Sequence, residues 1–187
     1  LNAFSTPLKG AVMDALDKAD QDADVRVIVL QGSNNNFSSG GHIGEMLENG
    51  MESEALVAKL DFMLREVAEV SLKLRNIHKP IIAKLEGAVA GAGMNLALTC
   101  DFRIAADNAK FVQAFINIGR SPDAGGIYLL NQLIGAAKTT ELVMLGNKLT
   151  SEDVARLDLV NRVVSPNERD AEVTALATRL SQLPGKA

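Results

Sequence analysis

Residues 79–113 read KPIIAKLEGAVAGAGMNLALTCDFRIAADNAKFVQ, and the order of element types along this stretch decides the fold. "KPIIAKLEG" (79–87) is a short apolar run opened by Pro80, a strand position where a missing N–H is tolerated. "AVAGAGMNLALTCD" (88–101) is a turn of small residues that runs into a short helix, "DFRIAAD" (101–107) is a strand, and "AKFVQ" (109–113) is a further one. Upstream, "VRVIVLQG" (25–32) is β-branched and closed by Gly, as a buried strand would be. Before it, Leu8, Val12, Leu16 and Ala19 recur three or four apart and predict a helix, with Thr6 as its cap and Pro7 in its first turn. A polar, mobile connection is expected over 44–60 and a long amphipathic helix over 59–78. Downstream, helices are expected near 125–134, 136–145 and 167–184. Residues 150–165 give a helix and then a strand, with Thr150 and Asp153 at capping-box spacing. Strands alternating with helices predict an α/β protein whose sheet is mainly parallel. No fixed-period repeat or linker interrupts the chain, so 1–187 is read as one domain.

The bulk composition narrows the function classes. At 187 residues and 47% apolar, with no Trp, the chain can bury a substantial aliphatic core. A net charge of −4 and the lack of a basic stripe argue against a nucleic-acid partner. No apolar run reaches membrane-spanning length and no signal peptide is visible, so no membrane partner is expected. The single cysteine, Cys100, cannot pair within the chain, which fits a reducing, cytoplasmic compartment. The opening "LNAFSTPL" reads as the interior of a longer protein.

Three turns of small residues carry the candidate chemistry. In "FSSGGHI" (37–43), adjacent glycines let a ligand approach the backbone, and their N–H groups can donate to a polarised oxygen. An ordinary surface turn is the alternative. In "GAVAGAGMN" (87–95), Gly91, Ala92 and Gly93 open a helix, so unpaired N–H groups point outward. This stretch resembles a phosphate loop only weakly, because Met94 and Asn95 follow Gly93 where a Lys-containing motif would continue. In "SPDAGG" (121–126), Asp123 sits between a proline and two glycines ahead of a helix. It is either a helix N-cap or a proton carrier. Two backbone donors and one carboxylate together can stabilise an enolate oxygen and move a proton at a neighbouring carbon.

"FSSGGHIGEM", the whole of 79–119 and "SPDAGG" resemble the crotonase, or enoyl-CoA hydratase/isomerase, superfamily, over most of the chain. The resemblance implies a spiral of ββα units with surrounding helices, assembled as a trimer or hexamer, and an acyl-thioester substrate. Set against that family, the chain is expected to lack the first strand and the C-terminal helices. The oxyanion donors would be the N–H groups of Gly41 and Ala92. Gly40, His42, Ile43, Gly91, Asn95 and Phe115 would line the substrate site. His42 stands where an Asp is usual and Arg120 where an apolar residue is common. A rim histidine and a solvated loop cation are the expectations for these two.

The reaction class is read from what replaces the family's water-activating glutamates. Those positions hold Asn95 and Phe115, and neither an amide nor a phenyl ring has useful proton affinity. Asp123 falls where isomerases of the family carry their acid/base, and "KFVQAFINIG" with "SPDAGG" is most like two isomerase subgroups. One acts on phenylacetate-pathway enoyl-CoA and ring-epoxide substrates. The other converts trans-2 to cis-3 enoyl-acyl carrier protein. A double-bond isomerase working through a dienolate is the resulting expectation. It needs no metal or cofactor beyond the coenzyme A or acyl carrier protein that bears the thioester. Hydration, ring-epoxide isomerisation, and a non-catalytic protein that binds acyl thioesters or RNA are the alternatives.

Overall fold

A computed structural model describes residues 1–42, 44 and 54–184. In chain order the elements are α1 (Thr6–Gln21), β1 (Ile28–Gln31), α2 (Glu54–Asn76), β2 (Ile81–Leu85), β3 (Ala88–Ala90), α3 (Ala92–Thr99), β4 (Phe102–Ala106), β5 (Lys110–Val112), a 3₁₀ turn (Ala114–Ile118), α4 (Gly126–Leu145), β6 (Lys148–Thr150), α5 (Ser151–Arg156), β7 (Arg162–Val164) and α6 (Pro166–Ser181). Of the connection expected over 44–60, the part from Glu54 onward is the start of α2, and residues 45–53 lie outside the described residues.

The strands form two sheets. β1, β2, β4 and β7 lie side by side in that order, all parallel, with Ile28 opposite Ile81 and Ile82 opposite Phe102. β3 pairs in parallel with β5, and β5 in antiparallel with β6. A bridge from Ser38 to Val89 extends the second sheet on its far side. The chain therefore makes the same move three times. It runs up a strand of the large sheet, turns into a strand or bridge of the small sheet (38, β3, β5), then leaves through a loop toward a helix. The spiral of ββα units that the family resemblance implied is this arrangement.

Burial follows the two-residue period of strands. Ile81, Ala83 and Leu85 of β2 join the main core, while Ile82 and Ile104 face the other way and meet Val173 of α6. β2 is thus buried on both faces, as a central parallel strand requires. β3 was read as part of a turn and β6 was not anticipated, because three-residue strands carry too little alternation to register. The two helices expected near 125–134 and 136–145 are both present as the halves of α4, and the path breaks between them at Gly135, with φ 74° and ψ 168°. Ser5, not Thr6, caps α1, its hydroxyl accepting from the Leu8 N–H at 3.4 Å. The Thr150–Asp153 capping box is present on α5. Among the described residues, no helix is long and apolar enough to cross a membrane.

Candidate active site

The three turns meet because each leaves the same end of the small sheet. Ser38 bridges Val89, and the Ala90 N–H donates back to the Ser38 carbonyl at 2.9 Å. The turns then pack backbone to backbone. A Cβ on Gly40, whose φ is +90°, would lie 2.8 Å from the Ala90 carbonyl oxygen, and one on Gly93 would lie 2.6 Å from the Ser38 Cβ. Only glycines allow this approach. A small apolar cluster of Val67, Ala92, Phe115 and Ala124 packs the third loop against the second turn and α2.

Two adjoining pockets open where the turns meet, of about 80 and about 10 Å³, and Gly41, Ala92, Arg120 and Asp123 border both. Gly91 and Phe115 complete the larger one with Ile118, while Phe4, Lys9 and Val67 close the smaller. Within the described residues, neither the Gly41 nor the Ala92 N–H has a protein acceptor. Ala92 is the first residue of α3, so its N–H is among those a helix leaves unpaired. Both amides belong to residues that border the two pockets.

Asp123 is not the cap of α4. The cap is Gly125, and no side chain bonds to the helix start there. Ala124 at φ 50° and Gly125 at φ 77° turn the backbone, so that the Asp123 carbonyl accepts the Gly126 N–H at 2.8 Å. The carboxylate is left to the pocket, where its Oδ1 is buried without a hydrogen-bond partner. Burial pushes this carboxyl up to about 6, against the opposing pull of the Arg120 and Lys9 cations and a hydrogen bond from Asn95.

The remaining expected residues divide. Gly91 and Phe115 line the larger pocket with Asp123. His42 follows Gly41, is partly buried, and borders neither pocket. Gly40 lies beneath the first turn, against the Ala90 carbonyl. Ile43 lies outside the described residues. Asn95 is 0% exposed and sits behind the wall rather than in it. Its Nδ2 donates to the Asp123 carbonyl at 2.9 Å, and its Oδ1 accepts from Gln113 Nε2 at 2.8 Å. A Cβ on Gly126 would meet the Asn95 side chain at 2.3 Å, so that glycine lets α4 rest on the amide. The structure thus makes Asn95 a strut for the Asp123 loop. Arg120, expected as a solvated cation, is partly buried and borders both pockets.

Two charged residues at this site, Lys9 and Glu66, escaped the sequence reading. Lys9 is 2% exposed, and its Nζ lies 2.5 Å from the Glu66 carboxylate of α2. The available signal was helical phase, since Lys9 lies one heptad before Leu16 and therefore on the buried face of α1.

A larger cleft, of about 1230 Å³, lies at the other end of the large sheet. Asp20 in its wall lies 4.0 Å from Lys73 Nζ, and three other charged groups there bond to backbone. Lys79 donates to the Ala19 and Asp22 carbonyls, Arg26 to the Leu183 carbonyl, and Asp101 accepts from the Ile81 N–H. It offers no carboxylate left unpaired as Asp123 is.

The family model described as enoyl-CoA hydratase/isomerase matches residues 1–187. The trans-2-decenoyl-[acyl-carrier-protein] isomerase of Streptococcus mutans is 34% identical over 185 residues, covering 97% of this chain and 68% of the relative. A probable enoyl-CoA hydratase of Mycobacterium bovis is 33% identical over 187 residues, covering 100% of this chain and 70% of that protein. The crystal structure of an enoyl-CoA hydratase from Bacillus anthracis superposes with a TM-score of 0.90 at 25% identity, covering 98% of this chain and 69% of that one.

Proposed function

The chain belongs to the enoyl-CoA hydratase/isomerase family, the crotonase superfamily, and from that premise we propose that it is an enoyl-thioester isomerase with Asp123 as its single proton carrier. One observation carries the reading. Among the described residues Asp123 is the only carboxylate that borders the pockets, and its Oδ1 is unpaired. As carboxylate it removes a proton from the carbon α or γ to the thioester carbonyl. The electron pair left behind delocalises onto the carbonyl oxygen, which accepts hydrogen bonds from the Gly41 and Ala92 amides. Protonated Asp123 then returns the proton two carbons away, and the double bond has moved. A carboxyl near 6 suits both halves, because base and acid forms are each accessible close to neutral pH. The steps use only this side chain and the two amides, and the thioester is borne by coenzyme A or acyl carrier protein.

Hydration needs a group to activate water, and the positions that would supply it hold a strut amide and Phe115. The relative named as an acyl-carrier-protein isomerase supports the isomerase reading, while those named as hydratases support the family alone. The test is to offer the purified protein a trans-2-enoyl thioester and crotonyl-CoA in parallel. Formation of the 3-enoyl product with negligible hydration is expected. Robust hydration without double-bond migration would overturn the proposal.

The same reading includes self-assembly into a trimer or hexamer. Ile127, Tyr128, Met144 and Leu145 on α4 are exposed. So is Ile116, which a Cβ on Gly146 would touch at 2.7 Å and which therefore lies beside the end of that helix. Light scattering at micromolar concentration should find three or six copies, and a monomer would refute the assembly.

A further inference from the structure

Among the described residues, ion pairs join α1 to α2 at two lysines, and the two are unlike each other. Lys73 pairs with Asp17 at the wetter end, where the side chains are 23% and 48% exposed. That pair ties the helices together in solvent. Lys9 pairs with Glu66 at the other end, where the lysine is shut away from water. A buried ion pair is a poor choice for stability alone, since desolvation offsets most of its attraction. The inner pair is also oriented. Lys9 borders the smaller pocket with Asp123 and Ala92, whereas Glu66 does not. Glu66 lies behind it, 19% exposed, and also accepts from the Thr6 hydroxyl at 3.3 Å. The lysine borders the site and its counter-ion does not.

We propose that Lys9, held in place by Glu66, is a positioning residue that supplies the standing counter-charge for proton transfer by Asp123. This rests on the reading of Asp123 as the proton carrier. Its logic is charge conservation. Before transfer, the negative charge is on Asp123. After the proton is taken, the carboxyl is neutral and the charge is on the dienolate. When the proton returns, the charge is on Asp123 again. One negative charge is present throughout, and it only changes owner. A fixed cation in the wall lowers the cost of every stage without moving, which is what a preorganised site requires. Arg120, from the loop of Asp123 itself, is the other cation that borders the pockets. Arg120 and Lys9 are the cations whose charge acts on the Asp123 carboxyl, with Glu66 paired to Lys9 and His42 following Gly41 on the first turn. The pull of Lys9 on the Asp123 carboxyl agrees with this arrangement.

Partner deletions should act in opposite directions, which a mere helix clamp would not do. Lys9→Met removes the cation, so the acidic limb of kcat/KM for isomerisation should move to higher pH, on the order of half a pH unit to one. Glu66→Gln leaves Lys9 uncompensated, so the limb should move to lower pH. KM should change little in either. The ionisation of Asp123 in the resting protein, followed by carbon-13 NMR of labelled aspartate, should move in the same two directions. That readout does not depend on turnover. An inactive parent protein would defeat the isomerase reading while the coupling could still be measured. Identical Asp123 titration in parent and Lys9→Met would overturn the inference even if isomerisation is confirmed. The double variant Lys9→Met, Glu66→Met removes both buried charges and should titrate between Lys9→Met and the parent. If neither that variant nor Lys9→Met folds, the pair is a structural element and the proposal falls.

Discussion

Asp123 and Asp153 lie within a few residues of a helix start, each after a short turn, and the structure treats them in opposite ways. Asp153 is the third residue of α5. Its Oδ2 accepts from the Thr150 N–H at 2.8 Å and the Thr150 hydroxyl at 2.7 Å, and its Oδ1 accepts from Arg156 at 2.7 Å. The Thr150 backbone and hydroxyl, with Arg156, hold its carboxyl at about 2. Asp123 precedes the cap of α4 by two residues, keeps an unpaired oxygen, and stands at about 6 because it is buried. The backbone between makes the difference. Thr150 is extended and lets the Asp153 side chain fold back on it. Ala124 and Gly125 have positive φ, so the chain presents the Asp123 carbonyl to the helix and sends the carboxylate elsewhere. Proximity to a helix start does not make a cap.

The largest expected effect breaks the pair apart by function. Asp123→Asn keeps the shape and removes the base, so isomerisation should fall by about 10²–10⁴-fold with thioester binding nearly intact. Asp153→Asn should turn over at close to the parent rate. Equal rates for Asp123→Asn and parent would return Asp123 to a structural role.

Stability should separate the two with opposite signs. A carboxyl raised in the folded state favours the fold fully below its unfolded value of 3.8, and that favour is lost as pH rises through about 6. At pH 8 the fold therefore bears the cost of an ionised, half-buried Asp123. Asp123→Asn should relieve it, by about 1–3 kcal/mol, since each pH unit between the folded and unfolded values corresponds to about 1.36 kcal/mol. Asp153 is depressed, so its contribution is present above 3.8 and is lost as pH falls through about 2. Asp153→Asn should lower Tm at neutral pH, with the deficit shrinking under strong acid. Thermal melts of both variants at pH 2, pH 4 and pH 8 check this, and changes of the same sign at pH 8 would contradict the comparison.

The smallest effect is the finest. The acidic limb of kcat/KM should lie near pH 6, the value of Asp123 in the free enzyme. A limb near 4 would mean that the carboxylate is solvated in the free enzyme and as ordinary as its surface counterparts.

The contrast also marks where the sequence could be read. Glycines at 40, 91 and 93 and the run at 121–126 announce turns through composition, and their meeting follows from strand order. The capping box was legible because its partners are three residues apart. Lys9 and Glu66 are separated by 57 positions, and nothing local distinguishes a buried lysine from a solvated one. Asn95 was legible as a missing carboxylate and not as a strut, because its bond to the Asp123 carbonyl spans 28 positions. Arg120 read as solvent-facing for the same reason, since the walls around it come from other elements. β3 and β6 exist through their ladders to β5 rather than through any pattern of their own.

The thrice-repeated strand–turn–helix move has a consequence for how such a protein can change. The two amide donors and the carboxylate lie on separate coils of the spiral: Gly41 on the first, Ala92 on the second and Asp123 on the third. Backbone donors are indifferent to side-chain replacement so long as the glycines beside them persist. A substitution on the third coil therefore leaves the backbone of the first two where it is, whereas a side chain added at Gly40 or Gly93 would force those two apart.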